Sequence, residues 1–376
     1  MKRWCRFLLC LGALACLCAV GVAADTDTLY HRQRQAAGVE ELPRHLPADV
    51  QQLLEQTDVD LLNPSTYEDL SVQRVSEMLL SLLQTQSNGP LQAFRTLLGV
   101  VLVSALLGGL DMGGGAALRR TYHGVAVVGA GGVLLPPLLS LLQTVGETVE
   151  SVTVFLTAYA PVYAVVMAAG GRVAGAAAYQ TTLLGATALL TWLIRLAVFP
   201  VLTVSLALGC TGAVTEGFCL DRLSEGLHKT VLWGLGLFST VFSGLLSLQQ
   251  MVTAAGDTVG VRVARFSLSG FVPVVGGLLS EAYATVMGCA GLLRTVVGAF
   301  GLVAVVLMVA PPLIGCVCWN VALHLAGGAA ALFGLAPIER LCRVAAGAVR
   351  VLIALLAVFA LLMVIATAVM SSTMGG

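Results

Sequence analysis

Charge is what this sequence has least of. Asp, Glu, Lys and Arg together make 11% of the chain, against about 25% in a soluble domain. Apolar residues make 58% and the mean hydropathy is +0.93, so much of the surface has to face something other than water. The formal net charge is zero. That removes the basic field on which nucleic-acid binding rests, and no nucleic-acid partner is expected. Lysine is nearly missing: among 20 Lys and Arg residues, only Lys2 and Lys229 are lysine. This bias reads as GC-rich coding and not as a functional signal.

Catalytic signatures are missing as well. There is no H-E-x-x-H, no G-x-x-x-x-G-K-[ST] phosphate loop and no G-x-S-x-G elbow. The five histidines (His31, His45, His123, His228 and His324) are scattered without ligand spacing. Cys316-x-Cys318 is half a metal site, and no second pair or histidine completes it. The cysteines make no disulfide framework either. Cys5, Cys10, Cys16 and Cys18 lie in the first apolar run, and Cys210, Cys219, Cys289, Cys316, Cys318 and Cys342 sit mostly in or beside later ones. The expectation is a protein that is not an enzyme, with no catalytic residue, no cofactor and no metal. Without a nucleotide loop, energy for any transport has to come from an ion gradient or a partner.

What the chain does contain is ordered by hydropathy. Lys2, Arg3 and Arg6 precede an apolar run from Phe7 to Val22, and Val22-Ala23-Ala24 places small residues before Asp25. A signal peptide over 1–24, cleaved after Ala24, is the expected reading, with an uncleaved first span as the alternative. Residues 25–92 are polar enough for water and read as an extracytoplasmic helical segment. Leu46 to Gln56 has Val50, Leu53 and Leu54 on one face, and Asn63-Pro64-Ser65 breaks it. Thr66-x-x-Asp69 then resembles a capping box. Leu70, Val75, Met78, Leu79, Leu82 and Leu83 follow as an amphipathic stripe, which Asn88-Gly89-Pro90 is expected to end. A docking element and a helical cap on the membrane domain both fit this segment.

Residues 93–376 read as a polytopic transmembrane domain that makes the lipid bilayer a partner. A span needs about 20 predominantly apolar residues. Charge-free intervals run 96–110, 124–146, 151–171, 173–194, 196–215 and 231–256, then 266–280 and 282–293, two between Arg294 and Glu339, and 351–376. The expected fold class is an all-α polytopic helical membrane protein with about seven to ten transmembrane helices. The count is least secure at 266–293, read as a broken or re-entrant segment. With basic loops inside and an external start, Arg119-Arg120, Arg172, Arg222, Lys229, Arg294, Arg340, Arg343 and Arg350 face the cytoplasm across about ten crossings.

Few residues in this domain can carry chemistry. A charge at membrane depth costs about 2.5–3.5 kcal/mol or more, which singles out Arg95, Asp111, Arg195, Glu281 and Arg294. Arg195 in Trp192-Leu193-Ile194-Arg195-Leu196 is expected in a turn between two spans, anchored beside Trp192. On one continuous helix it would be a functional intramembrane charge. The stretch around Arg262, Arg265, Phe271, Pro273, Gly276, Gly277, Glu281 and Arg294 is the candidate functional segment. A proline four residues before paired glycines makes a poor continuous helix, and broken helices in membranes often mark binding sites. A kinked, tightly packed helix fits the same residues. Pro136-Pro137 and Pro311-Pro312 are further kink points.

Val261-Arg262-Val263-Ala264-Arg265-Phe266, running into Phe271-Val272-Pro273-Val274-Val275-Gly276-Gly277-Leu278-Leu279-Ser280-Glu281-Ala282, resembles the stage III sporulation protein AE family. Thr285-Val286-Met287-Gly288-Cys289, Val296-Val297-Gly298 and Gly301-Leu302 continue the match. The resemblance implies a mother-cell membrane protein facing the engulfed forespore. It implies a channel or secretion-like complex with membrane proteins of the same operon and a forespore-membrane partner. It transfers no catalytic residue. A homo-oligomer is compatible with it, and a stand-alone secondary transporter is the competing reading.

Overall fold

An unpaired backbone amide in lipid costs several kcal/mol, so an apolar chain satisfies its own backbone in helices. The computed structural model describes residues 26–57, 72–109, 116–214, 220–271 and 276–371, and these contain no strand. A small N-terminal group comprises α1 (Thr26–Ala36), a 3-10 turn (Val39–His45) and α2 (Ala48–Thr57). The long elements are α3 (Val72–Gly109), α4 (Ala116–Ala169), α5 (Val173–Leu193), α6 (Phe199–Val214), α7 (Leu220–Phe271), α8 (Gly276–Leu332) and α9 (Ala336–Ser371). The all-α polytopic architecture is therefore present.

The apolar intervals group differently from the expectation. Among the described residues, six helices are long and apolar enough to cross a membrane: Leu80–Leu106, Gly124–Ala169, Val173–Ala213, Arg222–Thr253, Ala284–Leu332 and Ala336–Thr367. Intervals that look separate in sequence are fused. Glu147 and Glu150 interrupt the hydropathy of α4 but not its backbone, because glutamate is a good helix former. The pairs 173–194 and 196–215 join into one rod, and the two intervals after Arg294 become α8. The turn expected at Asn88-Gly89-Pro90 is also helical, so the boundary drawn at 92 falls inside α3.

Arg195 needs a specific correction. It lies in no turn between spans. Ile194–Val198 is a π-helical turn that links α5 to α6 without a break. The Phe199 N–H reaches back five residues to the Ile194 carbonyl. Pro200 follows directly and has no N–H to give, so a widened turn lets the helix pass the proline.

Two tight hairpins organise the bundle, and both turns have the same design. In one, the Gly171 N–H donates to Ala168 and the Arg172 N–H to Met167; in the other, Gly334 donates to Ala331 and Leu335 to Ala330. These are Schellman closures, and they need a left-handed residue, supplied by Gly171 (φ 77) and Gly334 (φ 69). The first turn folds α5 back on α4, and the second folds α9 on α8. α7 lies antiparallel to the α5–α6 rod, with Asp257 against Gly175, Gln249 bonded to Thr182 and His228 to Ser205.

Candidate functional site

A cleft of about 470 Å³ lies between α4 and α8, with α3 and the start of α2 at its edges. Ser140, Thr144, Glu147, Thr148 and Ser151 recur at helical spacing along α4 and give an otherwise apolar helix one polar face toward it. Opposite stand Pro311, Pro312 and Trp319 of α8, while Gln86 and Asp49 complete the rim. Proline lacks the N–H that would bond the residue four earlier. Pro311 and Pro312 thereby free the carbonyls of Leu307 and Met308, which also line the cleft. The Thr144 and Thr148 hydroxyls donate back to Ser140 and Thr144 at 3.1 and 2.8 Å. With their protons engaged, these oxygens are left to accept. Among the described residues the lining thus offers hydroxyl, carbonyl and carboxylate acceptors and no basic side chain. Chemically it suits a donor-rich or cationic polar guest.

A second cluster sits at the α4–α5 turn. The Asp257 carboxylate accepts the Ala174 and Gly175 N–H groups, both at 3.0 Å, and so caps α5 from a residue more than 80 positions away. Arg172 stands next to it. Burial first, then the charge of Arg294, hold its guanidinium below the ordinary value, while Asp257 and Tyr163 act the other way. Beneath lies an aromatic column, with Phe155–Tyr159, Tyr159–Tyr163 and Tyr163–Tyr179 centroids 5.6, 5.5 and 5.0 Å apart. The Tyr159 hydroxyl donates to the Val297 carbonyl of α8 at 3.2 Å. Gly301 lets this column press against α8, because a Cβ there would collide with Tyr159 and Met363.

The residues expected from sequence divide unevenly between these places. Arg294 is buried, at 7% exposure, and belongs to the second cluster. Arg195 is exposed and forms an ion pair with Glu150 of α4 at 3.3 Å. Arg262 and Arg265 lie on α7, Phe271 ends it, and Gly276, Gly277 and Glu281 open α8. Their side chains, together with Pro273 and Ala24, lie outside the described residues. The stretch 276–293 is not a separate short span, since it forms the first part of α8. The break expected near Pro273 falls at 272–275, outside the described residues. Asp257, Glu147 and the tyrosine column were not foreseen. Asp257 opens the basic stretch that ends at Arg265, and its acidity was the available signal. Among the described residues, no three His, Cys, Asp or Glu side chains gather as a metal site needs.

Comparison with known proteins adds what geometry does not. The profile of the family described as "Stage III sporulation protein AE (spore_III_AE)" matches residues 61–374. The chain belongs to the stage III sporulation protein AE family. It is similar to the "Stage III sporulation protein AE" of Bacillus subtilis (strain 168), with 28% identity over 168 residues. That alignment spans 45% of this chain and 42% of the relative, so the chain covers less than half of the relative's length. No solved structure matches. Family membership covers α3 to α9, and hence the α3, α4 and α8 walls of the acceptor-lined cleft, the Asp257–Arg172–Arg294 cluster and both hairpins.

Proposed function

We propose that this member of the family is a non-enzymatic integral membrane subunit of a channel or secretion-like complex that links mother cell and forespore. Its place is the mother-cell membrane facing the forespore, and its work falls after engulfment. It acts with membrane proteins of the same operon and with a partner in the forespore membrane. The observation that carries this reading is the family match across residues 61–374. The six long apolar helices support it, because a subunit of such a complex has to span the bilayer. The test is a deletion strain complemented with tagged protein. Arrest after engulfment and co-purification of other membrane proteins are expected; normal spore yield without the gene would refute the reading.

The acceptor-lined cleft favours a second reading, a stand-alone secondary transporter for a small cationic or donor-rich solute. Purified protein in liposomes would then take up solute under an ion gradient. E147Q in the cleft would abolish uptake, as would changes at Glu281 or Arg294. Absence of uptake combined with arrested sporulation decides for the channel subunit.

A further inference from the structure

The far end of α7 holds a cavity of about 240 Å³ between α7 and α9. Lys229, Arg343 and Arg350 line it with His228, and among the described residues Glu225 is the only acid in the lining. Arg343 is also bonded to Glu339 one turn away. The space exists because residue 347 is glycine: a Cβ there would sit 2.5 Å from His228 Nδ1. His228 is fixed in turn by Ser205, whose Oγ lies 2.8 Å from Nε2. At roughly 30 Å³ per water, the cavity is roomy enough for a phosphate and the groups esterified to it.

What lies next to the cavity identifies the guest. One turn beyond Lys229, the α7 surface becomes a continuous apolar ridge. Trp233, Leu237, Val241, Leu245, Leu248 and Val252 recur every three or four residues, and all are 46–76% exposed. A soluble anion has no use for such a ridge. A lipid places its phosphate among cations at the membrane surface and its chains along an apolar helix face, and basic pockets between transmembrane helices bind lipid headgroups in this way. We propose that Lys229, Arg343 and Arg350 hold the phosphodiester of one anionic phospholipid, with its acyl chains along the Trp233–Val252 ridge. The site needs only that the chain is inserted in a membrane, so it stands or falls independently of the channel reading.

Trp233 reports on the site directly. The full chain carrying W4F, W192F and W319F keeps Trp233 as its sole tryptophan and is reconstituted in phosphatidylcholine vesicles. Brominated phosphatidylglycerol is expected to quench Trp233 with about fivefold preference over brominated phosphatidylcholine, the scale of one or more well-placed cations. The preference should vanish in R343Q/R350Q. It should also vanish in G347A, which displaces His228 without changing any charge, and it should survive R222Q, which removes an exposed cation outside the cavity. Equal quenching by the two lipids in the otherwise unaltered protein would overturn the proposal, whatever the variants do. Loss of the preference on adding millimolar inorganic phosphate would overturn it too, by showing a site for free anions.

Discussion

The α8–α9 hairpin and α7 are built from similar material and used in opposite ways. All three hold long apolar windows, with mean hydropathies of 2.4, 2.9 and 1.8. Half of the residues in the α8 and α9 windows are buried, against 17% in α7. In water such a difference would show in composition. In lipid the surroundings are as apolar as leucine, so hydropathy cannot separate a helix facing protein from one facing acyl chains. The separation comes from shape. α8 and α9 meet their neighbours through Gly301, Gly327 and a run of alanines, whereas α7 shows large side chains outward from Trp233 to Val252.

This contrast can be broken at one side chain. G301L puts a branched side chain where Tyr159 and Met363 already touch the backbone, and is expected to cost about 3 kcal/mol. Thermal unfolding in detergent measures it, and an unchanged midpoint would mean that α8 does not pack as closely as described. D257A comes next. It removes a charged cap from α5 and with it one of the few polar ties of α7, for about 1–2 kcal/mol. Limited proteolysis near the α4–α5 turn should accelerate in this variant, with cleavage elsewhere unchanged.

A double-mutant cycle sharpens the comparison at intermediate size. E150Q leaves Arg195 unpaired on an apolar surface and is expected to destabilise by about 1 kcal/mol. E150Q/R195Q should recover most of that loss, and strictly additive losses would mean that the pair seen at 3.3 Å contributes nothing. The smallest effect belongs to the α7 ridge. L237A should change stability by less than about 0.5 kcal/mol, because the side chain is exposed on the ridge and its truncation leaves no cavity in the protein. A loss comparable to that of G301L would place a protein partner on this face.

Legibility followed the range of the interactions involved. Helices were readable because backbone satisfaction in lipid is local, and the repeated apolar runs announce it. The Val261–Ala282 stretch was enough to suggest the family. Arg294 stood out because a charge beside apolar runs is rare. Its neighbours were hidden, because Tyr163 of α4 and Arg172 of the α4–α5 turn are more than 120 positions away in the chain. Glu147 was invisible for another reason. It looked like the polar end of an interval, and only the continuity of α4 turns it toward Pro311 and Pro312. The unbroken α5–α6 rod likewise moved Arg195 from an expected turn to a paired residue on a helix.

By itself, then, the sequence determined the membrane class, the all-helical architecture and the sporulation family. The first two rest on composition and on contacts along a single helix, and the family rests on the resemblance of the Val261–Leu302 stretch. Only the tertiary structure decided that apolar intervals fuse into long helices, six among the described residues, which faces are buried, and which distant polar groups meet. The physical reason is the same throughout. A lipid-embedded chain gains no hydrophobic free energy from choosing one neighbour over another, so the choice falls to small residues, kinks and a few paired polar groups. Their partners are set by the fold and not by their place in the chain.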